Sequence, residues 1–225
     1  DALMNITHVV RGDDHLTNTP RQVPIFHALG FPVPQFGHLP MILGSDKARL
    51  SKRHGATSIM AYRDMGYLPG AMVNYLVRLG WSHGDQELFT RQELIEKFSW
   101  KNVQTSPAVF NPEKLLWVNA EYIKTSPPAQ VAQALVPLLQ SAGLADEVRV
   151  VSSGWLAQLV VLVKERAKTL VEMVDWVSPY FGQAVTFDEE AAKKFLTPAI
   201  APILGKLFTR FEAFPVFSKQ QWEEA

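Results

Sequence analysis

The chain has 225 residues, of which 47% are apolar, and its 22 Lys and Arg residues equal its 22 Asp and Glu residues in number. This size is sufficient for a buried core and predicts two or three modules, whereas the zero net charge argues against a protein that coats nucleic acid non-specifically. The absence of cysteine excludes disulfides and thiolate metal sites; we therefore expect no zinc site in this chain, and a reducing, cytoplasmic location.

The first residues combine strand and helix signals. Residues 6–10 are a β-branched run that is typical of a buried strand. Thr19 and Pro20 are residue types preferred at a helix start, so we expect a helix over residues 19–29 with Thr19 as its N-cap, and a second strand over residues 37–43. Polar residues follow the first strand, at the end where open α/β sheets place ligands, namely Arg11, Gly12, Asp13, Asp14 and His15.

A basic segment follows the second predicted strand. Residues 46–55 contain four Lys and Arg residues and one histidine but only one acid, and turn signals at Gly44 and Gly55 predict a loop. Ammonium, guanidinium and hydroxyl groups on a loop can bind the oxygens of a polyphosphate. A short basic run is, however, more often a solvated surface face. Composition leaves both interpretations open.

Helix signals dominate the middle of the chain. Four helix starts are predicted, at Ser58, Pro69, Thr90 and Asn111. Thr90 with Glu93 has the spacing of a capping box. We expect the first helix to end at Gly66 and the second at Gly80. The second helix carries an apolar stripe at helical spacing, which consists of Met72, Val73, Leu76 and Leu79.

The last hundred residues also predict helices. The pair Pro127-Pro128 predicts a linker, followed by a helix over residues 130–142. Ser153 is expected to cap a long helix over residues 154–174, whose apolar part is too short to span a membrane. Further helices are expected to start at Asp188, Thr197 and Ser218.

The basic segment has the spelling of a known signature. It resembles the second signature of class I aminoacyl-tRNA synthetases. The matching run is Arg49-Leu50-Ser51-Lys52-Arg53, preceded by His38-Leu39-Pro40-Met41-Ile42-Leu43-Gly44. In glutamyl-tRNA synthetases this signature reads Lys-Leu-Ser-Lys-Arg. Residues 6–19, 68–81 and 114–119 also resemble glutamyl-tRNA synthetases. The resemblance therefore extends from the first residues past Asn119, and more weakly to the end.

This resemblance implies a fold class of α/β plus all-α. The implied domains are the second half of a Rossmann-like catalytic domain with the signature loop (1–55), a helical stem-contact module (56–125) and an α-helical anticodon-binding domain (126–225). The family's first signature, His-x-Gly-His, does not occur in the sequence. We therefore expect a partial chain that lacks the first half of the catalytic domain and the C-terminal end.

The resemblance also implies roles for individual residues. Arg49, Ser51, Lys52 and Arg53 are expected to act in catalysis, with Lys52 on the pyrophosphate oxygens. The residues expected to bind ATP are Lys52, Met41, Ile42 and Asp14. Arg11 is expected to pair with glutamate through two parallel hydrogen bonds, with His15 beside it. For Asp13 and Asp14, a helix-leading turn is an equally good interpretation.

The expected activity is ATP-dependent ligation of L-glutamate to tRNA(Glu) through glutamyl-adenylate. Mg²⁺ is expected to arrive with ATP, and the protein is expected to be a monomer. Arg166 and Lys164 are the candidates for tRNA contacts, although an exposed amphipathic helix face explains the same pattern. The alternative is a non-catalytic tRNA-binding fragment. The helices after Pro127 disfavour a short paralogue that glutamylates a tRNA base, and also a glutaminyl enzyme with β-barrels.

Overall fold

The computed structural model describes residues 1–51, 58–144, 154–181 and 187–212. The chain forms two compact units, residues 1–181 and residues 182–225. Within these ranges no helix is long and apolar enough to cross a membrane. The strands are β1 (His8–Gly12), β2 (Gln35–Leu39), β3 (Ile42–Leu43) and β4 (Ala108–Val109). The helices of the first unit are α1 (Thr19–Ala28), α2 (Ile59–Asp64), α3 (Pro69–Gly80), α4 (Arg91–Lys97), α5 (Pro112–Thr125), α6 (Pro128–Ser141), α7 (Trp155–Val163) and α8 (Leu170–Val177).

The N-terminal part is a β1–α1–β2 unit. Strands β1 and β2 are parallel, and their register places Arg11 opposite His38 and Gly12 opposite Leu39. Their carboxyl ends therefore lie side by side, as the predicted sheet requires. The prediction of Thr19 as an N-cap is wrong, because Thr19 is the first residue of α1 and the N-cap residue is Asn18. The Thr19 hydroxyl instead bonds to Arg11.

The second predicted strand is divided into two. β2 ends at Leu39 and β3 begins at Ile42, because Pro40 between them has no N–H group to donate to a ladder. The short strand β3 pairs in parallel with β4, at Ile42 with Ala108 and Leu43 with Val109. The segment that carries the signature loop is thus attached to the helical part of the chain.

The main core of the first unit is built from helices. α3 packs on α5, and α6 packs on α7 and α8. Their buried apolar residues form one continuous cluster that runs from Tyr67 to Val177. The predicted boundary at residues 125/126 falls inside this cluster, so the domain boundaries stay predictions. Within the cluster the exposed fraction is zero for Leu115, Ile123, Leu135, Leu139 and Met173.

Three of the predicted helix caps in the first unit are confirmed, at Ser58, Thr90 and Asn111. The Ser58 hydroxyl accepts a hydrogen bond from the N–H of Met60, and α3 extends from Pro69 to Gly80. Thr90 and Glu93 form the reciprocal capping box of α4. The Thr90 backbone N–H, with side-chain donors, lowers the pKa of Glu93 to about 2. The Asn111 cap is confirmed because its side chain accepts from the N–H groups of Glu113 and Lys114.

The predicted apolar stripe of α3 is confirmed at Met72 and Leu79 but not at Val73 and Leu76, and the predicted length of the helix over residues 154–174 is wrong. The inward face of α3 is formed by Ala71, Met72, Asn74 and Tyr75, whereas Val73 and Leu76 of the predicted stripe are 50% and 39% exposed. The helix predicted over residues 154–174 is interrupted between α7 and α8. α7 ends before Lys164, and Thr169 begins a new helix, because its hydroxyl accepts from the N–H of Glu172 as an N-cap.

Four further helix starts differ from the prediction or lie outside the described residues, and one agrees with it. Pro128 opens α6 directly instead of belonging to a linker, which suits the fixed φ of proline at a first helical position. In the second unit, Asp188 caps α9 (Glu189–Phe195) as predicted, and α10 (Ala201–Glu212) begins four residues after Thr197. The predicted caps at Ser153 and Ser218 lie outside the described residues.

Candidate active site

Arg11 lies at the carboxyl end of β1 and is half-buried. Its Nη2 donates to the Thr19 hydroxyl at 2.8 Å and to Oε1 of Gln22 at 2.9 Å. Its Nε donates to Nε2 of His38 at 3.4 Å. The guanidinium carbon also lies 5.3 Å from the centre of the Phe36 ring. Side chains from α1 and β2 thus fix the guanidinium from several directions.

The charge of Arg11 has no anionic partner among the residues that the structure describes. Its hydrogen-bond acceptors are a hydroxyl, an amide oxygen and an imidazole nitrogen, and no described carboxylate forms an ion pair with it. A half-buried cation with neutral partners favours binding of an anion, because part of its hydration has already been removed.

The hydrogen-bond donors of Arg11 are unevenly used. Both Nη2 hydrogens and the Nε hydrogen are directed at protein acceptors. In the described part of the chain, the two Nη1 hydrogens make no hydrogen bond. The predicted pairing of Arg11 with glutamate through two parallel bonds therefore has a constraint: the ligand either uses the Nη1 hydrogens or displaces Thr19 or Gln22.

Asp14 connects the end of β1 to the signature loop. Its Oδ2 lies 3.3 Å from Nη1 of Arg49 and 3.9 Å from Nε2 of His15. The side chain of Asp14 is 29% exposed and that of Arg49 is 68% exposed. Gly12 permits this position, because a Cβ at Gly12 would lie 2.5 Å from Oδ1 of Asp14. The structure thus brings Arg49, Asp14 and His15 together, and their roles at ATP and glutamate stay predictions.

The signature loop is the basic segment of residues 46–55, and it begins with a tight reversal of the chain after β3. The N–H of Leu50 donates to the carbonyl of Ile42 at 2.9 Å, so the chain returns antiparallel to β3. The Asp46 carboxylate accepts from the N–H of Ala48 at 2.9 Å, and Lys47 has a φ of 61°. The reversal presents Arg49 next to Asp14. Ser51 ends the first described range, and the predicted catalytic residues Lys52 and Arg53 lie outside the described residues.

Met41 and Ile42 have structural contacts in addition to their predicted role at ATP. The carbonyl of Met41 accepts from the N–H of Ala108 at 3.3 Å. The side chain of Ile42 packs against the main core. Their backbone thus holds β3 and β4 together, and contact with ATP stays a prediction.

Lys164 and Arg166 lie in the turn between α7 and α8. Nζ of Lys164 donates to the carbonyl of Lys124 at 2.7 Å, where it satisfies a carbonyl in the last turn of α5. The exposed Arg166 lies with its guanidinium carbon 5.5 Å from the ring centre of Trp176, which is 45% exposed. Lys164 thus has a structural contact, whereas Arg166 and Trp176 form a solvent-facing pair.

The sequence interpretation missed the residues that hold Arg11. Thr19 was predicted as a cap, and neither Gln22 nor His38 was assigned a role. The available signal was weak: His38 is opposite Arg11 only once the register of β1 and β2 is known. Within the described ranges there is no group of three metal-binding side chains.

Comparison with known proteins identifies the family of the chain. Residues 1–117 match the model for tRNA synthetases class I (E and Q), catalytic domain, and residues 130–225 match that for an anticodon binding domain. The glutamate–tRNA ligase of Geobacter sulfurreducens is 55% identical over 225 residues, which are 100% of this chain and 47% of that protein. The glutamate–tRNA ligase of Trichlorobacter lovleyi is also 55% identical, over 95% of this chain and 45% of that protein.

A solved structure has the same fold. A glutamate tRNA ligase from Elizabethkingia meningosepticum, in complex with its amino acid, matches with a TM-score of 0.73 and 28% identity over 94% of this chain and 45% of that one. The chain spans about half the length of the curated relatives it matches. These matches confirm the predicted fold class. The chain belongs to the class I tRNA synthetases (E and Q).

Proposed function

We propose that the protein containing this chain joins L-glutamate to tRNA(Glu) at the expense of ATP. The observation that carries the proposal is that two features lie at the same edge of the sheet. Arg11, at the carboxyl end of β1, has only neutral partners among the described residues. The basic loop is joined to this edge by the ion pair of Arg49 with Asp14. A carboxylate substrate and a polyphosphate substrate would then meet at one sheet edge. The names of the relatives support this choice of substrates.

The reaction couples two anions. A carboxylate oxygen of glutamate attacks the α-phosphorus of ATP, the new C–O–P bond forms, and the bond to pyrophosphate breaks; a tRNA hydroxyl then attacks the carbonyl carbon and releases AMP. Positive charge must therefore screen the approach and stabilise the leaving pyrophosphate. We assign this role to Lys52, supported by Arg49, Ser51 and Arg53. Met41, Ile42 and Asp14 would contact ATP, and His15 would lie beside the glutamate.

Arg49 can reach phosphate oxygens because its present contact is weak. Its side chain is 68% exposed, and exposed ion pairs such as that with Asp14 typically contribute about 0 to 1 kcal/mol. A polyphosphate with several negative charges would compete effectively for it. Mg²⁺ would enter with the ATP phosphates, since such ions need few protein ligands.

The test is substitution of Lys52 in the whole protein. Lys52→Ala should lower the rate of glutamate-dependent pyrophosphate exchange, with tRNA present, by about 10² to 10³, which is the scale of losing one preorganised charge-stabilising donor. Glutamate affinity should change little. The control is Lys101→Ala, which removes an exposed lysine far along the sequence. An exchange rate of Lys52→Ala equal to that of the unsubstituted protein would contradict the assignment.

We further propose that Arg166, with Lys164, contacts tRNA. The support is the exposed pair of Arg166 and Trp176, since a guanidinium beside an exposed indole offers both charge and a stacking surface to an unpaired base. Arg166→Ala should weaken tRNA binding and reduce its dependence on salt, whereas Arg166→Lys should keep most of that dependence. Filter-binding titrations at several salt concentrations would measure both. Equal salt dependence in the Ala variant would remove Arg166 from the interface.

The alternative function is tRNA binding without catalysis. The match of residues 130–225 to an anticodon binding domain favours it for this chain taken alone. The two functions differ in one result. Salt-sensitive tRNA binding by a whole protein that shows no glutamate-dependent pyrophosphate exchange would support the alternative.

A further inference from the structure

The hydrogen bonds around Arg11 have a defined direction. Arginine can only donate, so Nε2 of His38 accepts from Nε of Arg11 and presents its lone pair. The Thr19 hydroxyl lies 3.1 Å from the same nitrogen, so it donates its hydrogen there and accepts from Nη2 of Arg11. Because two donors share one lone pair, the longer distance of 3.4 Å to Arg11 is expected.

This direction fixes the orientation of the guanidinium. His38 holds Nε from β2, while Thr19 and Gln22 hold Nη2 from α1. The Phe36 ring contacts the guanidinium as a further constraint. A planar group held at Nε and at both hydrogens of Nη2 has little freedom to rotate, and its Nη1 hydrogens therefore point in one direction.

None of these acceptors is a carboxylate: they are a hydroxyl, an amide oxygen and an imidazole nitrogen. An ordinary structural arginine in a half-buried site is most stable beside a carboxylate. At the position of Gln22, glutamate would have the same length and would supply that carboxylate at the present distance of 2.9 Å. The choice of an amide therefore leaves the positive charge of Arg11 available to another anion.

We propose that Thr19, Gln22 and His38 are positioning residues for substrate binding. They orient Arg11 so that its Nη1 hydrogens face the carboxylate of the amino-acid substrate, and they leave its charge uncompensated so that this carboxylate becomes its ion-pair partner. None of the three needs to touch the substrate. The inference rests on the proposed function, because it takes the ligand of Arg11 to be glutamate.

A purely structural role for the network makes the opposite prediction. If the three residues served only to connect β1, α1 and β2, an ion pair between Arg11 and a carboxylate at position 22 would connect them at least as well. Substrate binding would then be unaffected. Gln22→Glu therefore separates the two roles, because it preserves the connection and removes the uncompensated charge.

The first experiment measures substrate KM and thermal unfolding in the whole protein. Gln22→Glu should raise the KM for glutamate by about tenfold or more in pyrophosphate exchange with tRNA present, the scale of losing one charge-assisted pair. The KM for ATP should stay within about twofold, and the Tm should not fall. Gln133→Glu is the matched control, because it adds the same charge at an exposed position of α6, and its KM values should be unchanged.

The second experiment removes one hydroxyl. Thr19→Val keeps the shape of the side chain but removes the acceptor of Arg11 and the donor to His38, so the KM for glutamate should rise by about fivefold or more. Thr19→Ser restores the hydroxyl and should return the KM to near that of the unsubstituted protein. If Thr19 had only a structural role, Thr19→Val would change the Tm but would not raise the KM for glutamate more than the KM for ATP.

The outcomes distinguish the inference from the proposed function. Unchanged KM for glutamate in both Gln22→Glu and Thr19→Val, with exchange intact, would overturn the positioning role and leave the proposed function standing. A rise in the KM for ATP instead of glutamate would also overturn it, because Arg11 would then bind phosphate. Absence of glutamate-dependent exchange in the unsubstituted protein would overturn the proposed function and this inference with it.

Discussion

At the scale of single residues, Asn119 is a fully buried amide with both ends bonded. Its Oδ1 accepts from the N–H of Leu68 at 2.8 Å, and its Nδ2 donates to the carbonyl of Lys168 at 2.7 Å. It thus joins α5 to the N-cap of α3 and to the residue before the cap of α8. Such a residue stabilises the packing of three helices through two backbone groups.

Removing this amide should destabilise the chain. Asn119→Ala leaves the buried N–H of Leu68 and the part-buried carbonyl of Lys168 without their partner, so the free energy of unfolding should fall by about 2 to 4 kcal/mol. Urea titration followed by circular dichroism measures this. The control is Asn102→Ala at an exposed position, which should change the free energy by less than about 0.5 kcal/mol. A loss as small as that of the control would show that water replaces the amide.

Whether the sequence could predict the role of a residue depended on how far along the chain its partner lies. Ser58, Thr90 and Asn111 act on backbone groups two or three residues away, so their side chains and positions alone predicted the caps. Asn119 and His38 act on residues 51 and 27 positions away. Such partners depend on the packing of helices and on strand register, which local patterns do not contain.

At the scale of elements, Gly66 permits the close approach of two segments. It has a φ of +83°, and its carbonyl accepts from the N–H of Leu170 at 2.9 Å, at the start of α8. A Cβ there would lie 2.6 Å from the nitrogen of Val171 and 2.8 Å from that of Leu170. Backbone atoms cannot move aside as a flexible side chain can. Gly66 is therefore required both for its conformation and for its lack of a side chain.

A matched pair of glycines tests this requirement. Gly143 also has a positive φ, of +69°, but a Cβ there would meet nothing within 4 Å. Gly143→Ala should therefore lower the free energy of unfolding by about 1 to 2 kcal/mol, which is the conformational term alone. Gly66→Ala should lower it by clearly more, because α8 must also move. Equal losses for the two variants in urea titrations would show that the chain relaxes around the new methyl group.

Element boundaries were predictable only where a local signal decides them. Pro69 and Asn111 fixed the starts of α3 and α5. The break between α7 and α8 was missed because the apolar periodicity continues across it, whereas Thr169 caps a second helix that packs on α6. In the candidate site, too, only some of the residues were predictable from the sequence. The sequence predicted Arg11, Asp14 and Arg49 from their spelling, but it did not predict the acceptors that orient Arg11.

At the scale of the whole molecule, burial is concentrated in the helices of the first unit. Among residues 1–43, Pro34 is the only buried residue, and apolar side chains such as Leu3, Ile25 and Leu29 are 93%, 58% and 63% exposed. The helical core from Tyr67 to Val177, in contrast, contains fully buried side chains in α5, α6 and α8. The β1–α1–β2 unit, which carries Arg11, therefore has little apolar burial to stabilise it.

This contrast predicts two levels of stability in the 225-residue chain. Opening of β1, α1 and β2 exposes apolar side chains that are at most half-buried, so it should require much less free energy than opening of α5 and α6. Hydrogen exchange followed by mass spectrometry should show amides in β1 and β2 exchanging at least about tenfold faster than those in α5. Peptides from α6 serve as the internal control, because Leu135 and Leu139 belong to the same core as α5. Equal protection of β1 and α5 would mean that the N-terminal unit unfolds together with the helical core, and that its two parallel strands are more strongly coupled to β3 and β4 than their burial indicates.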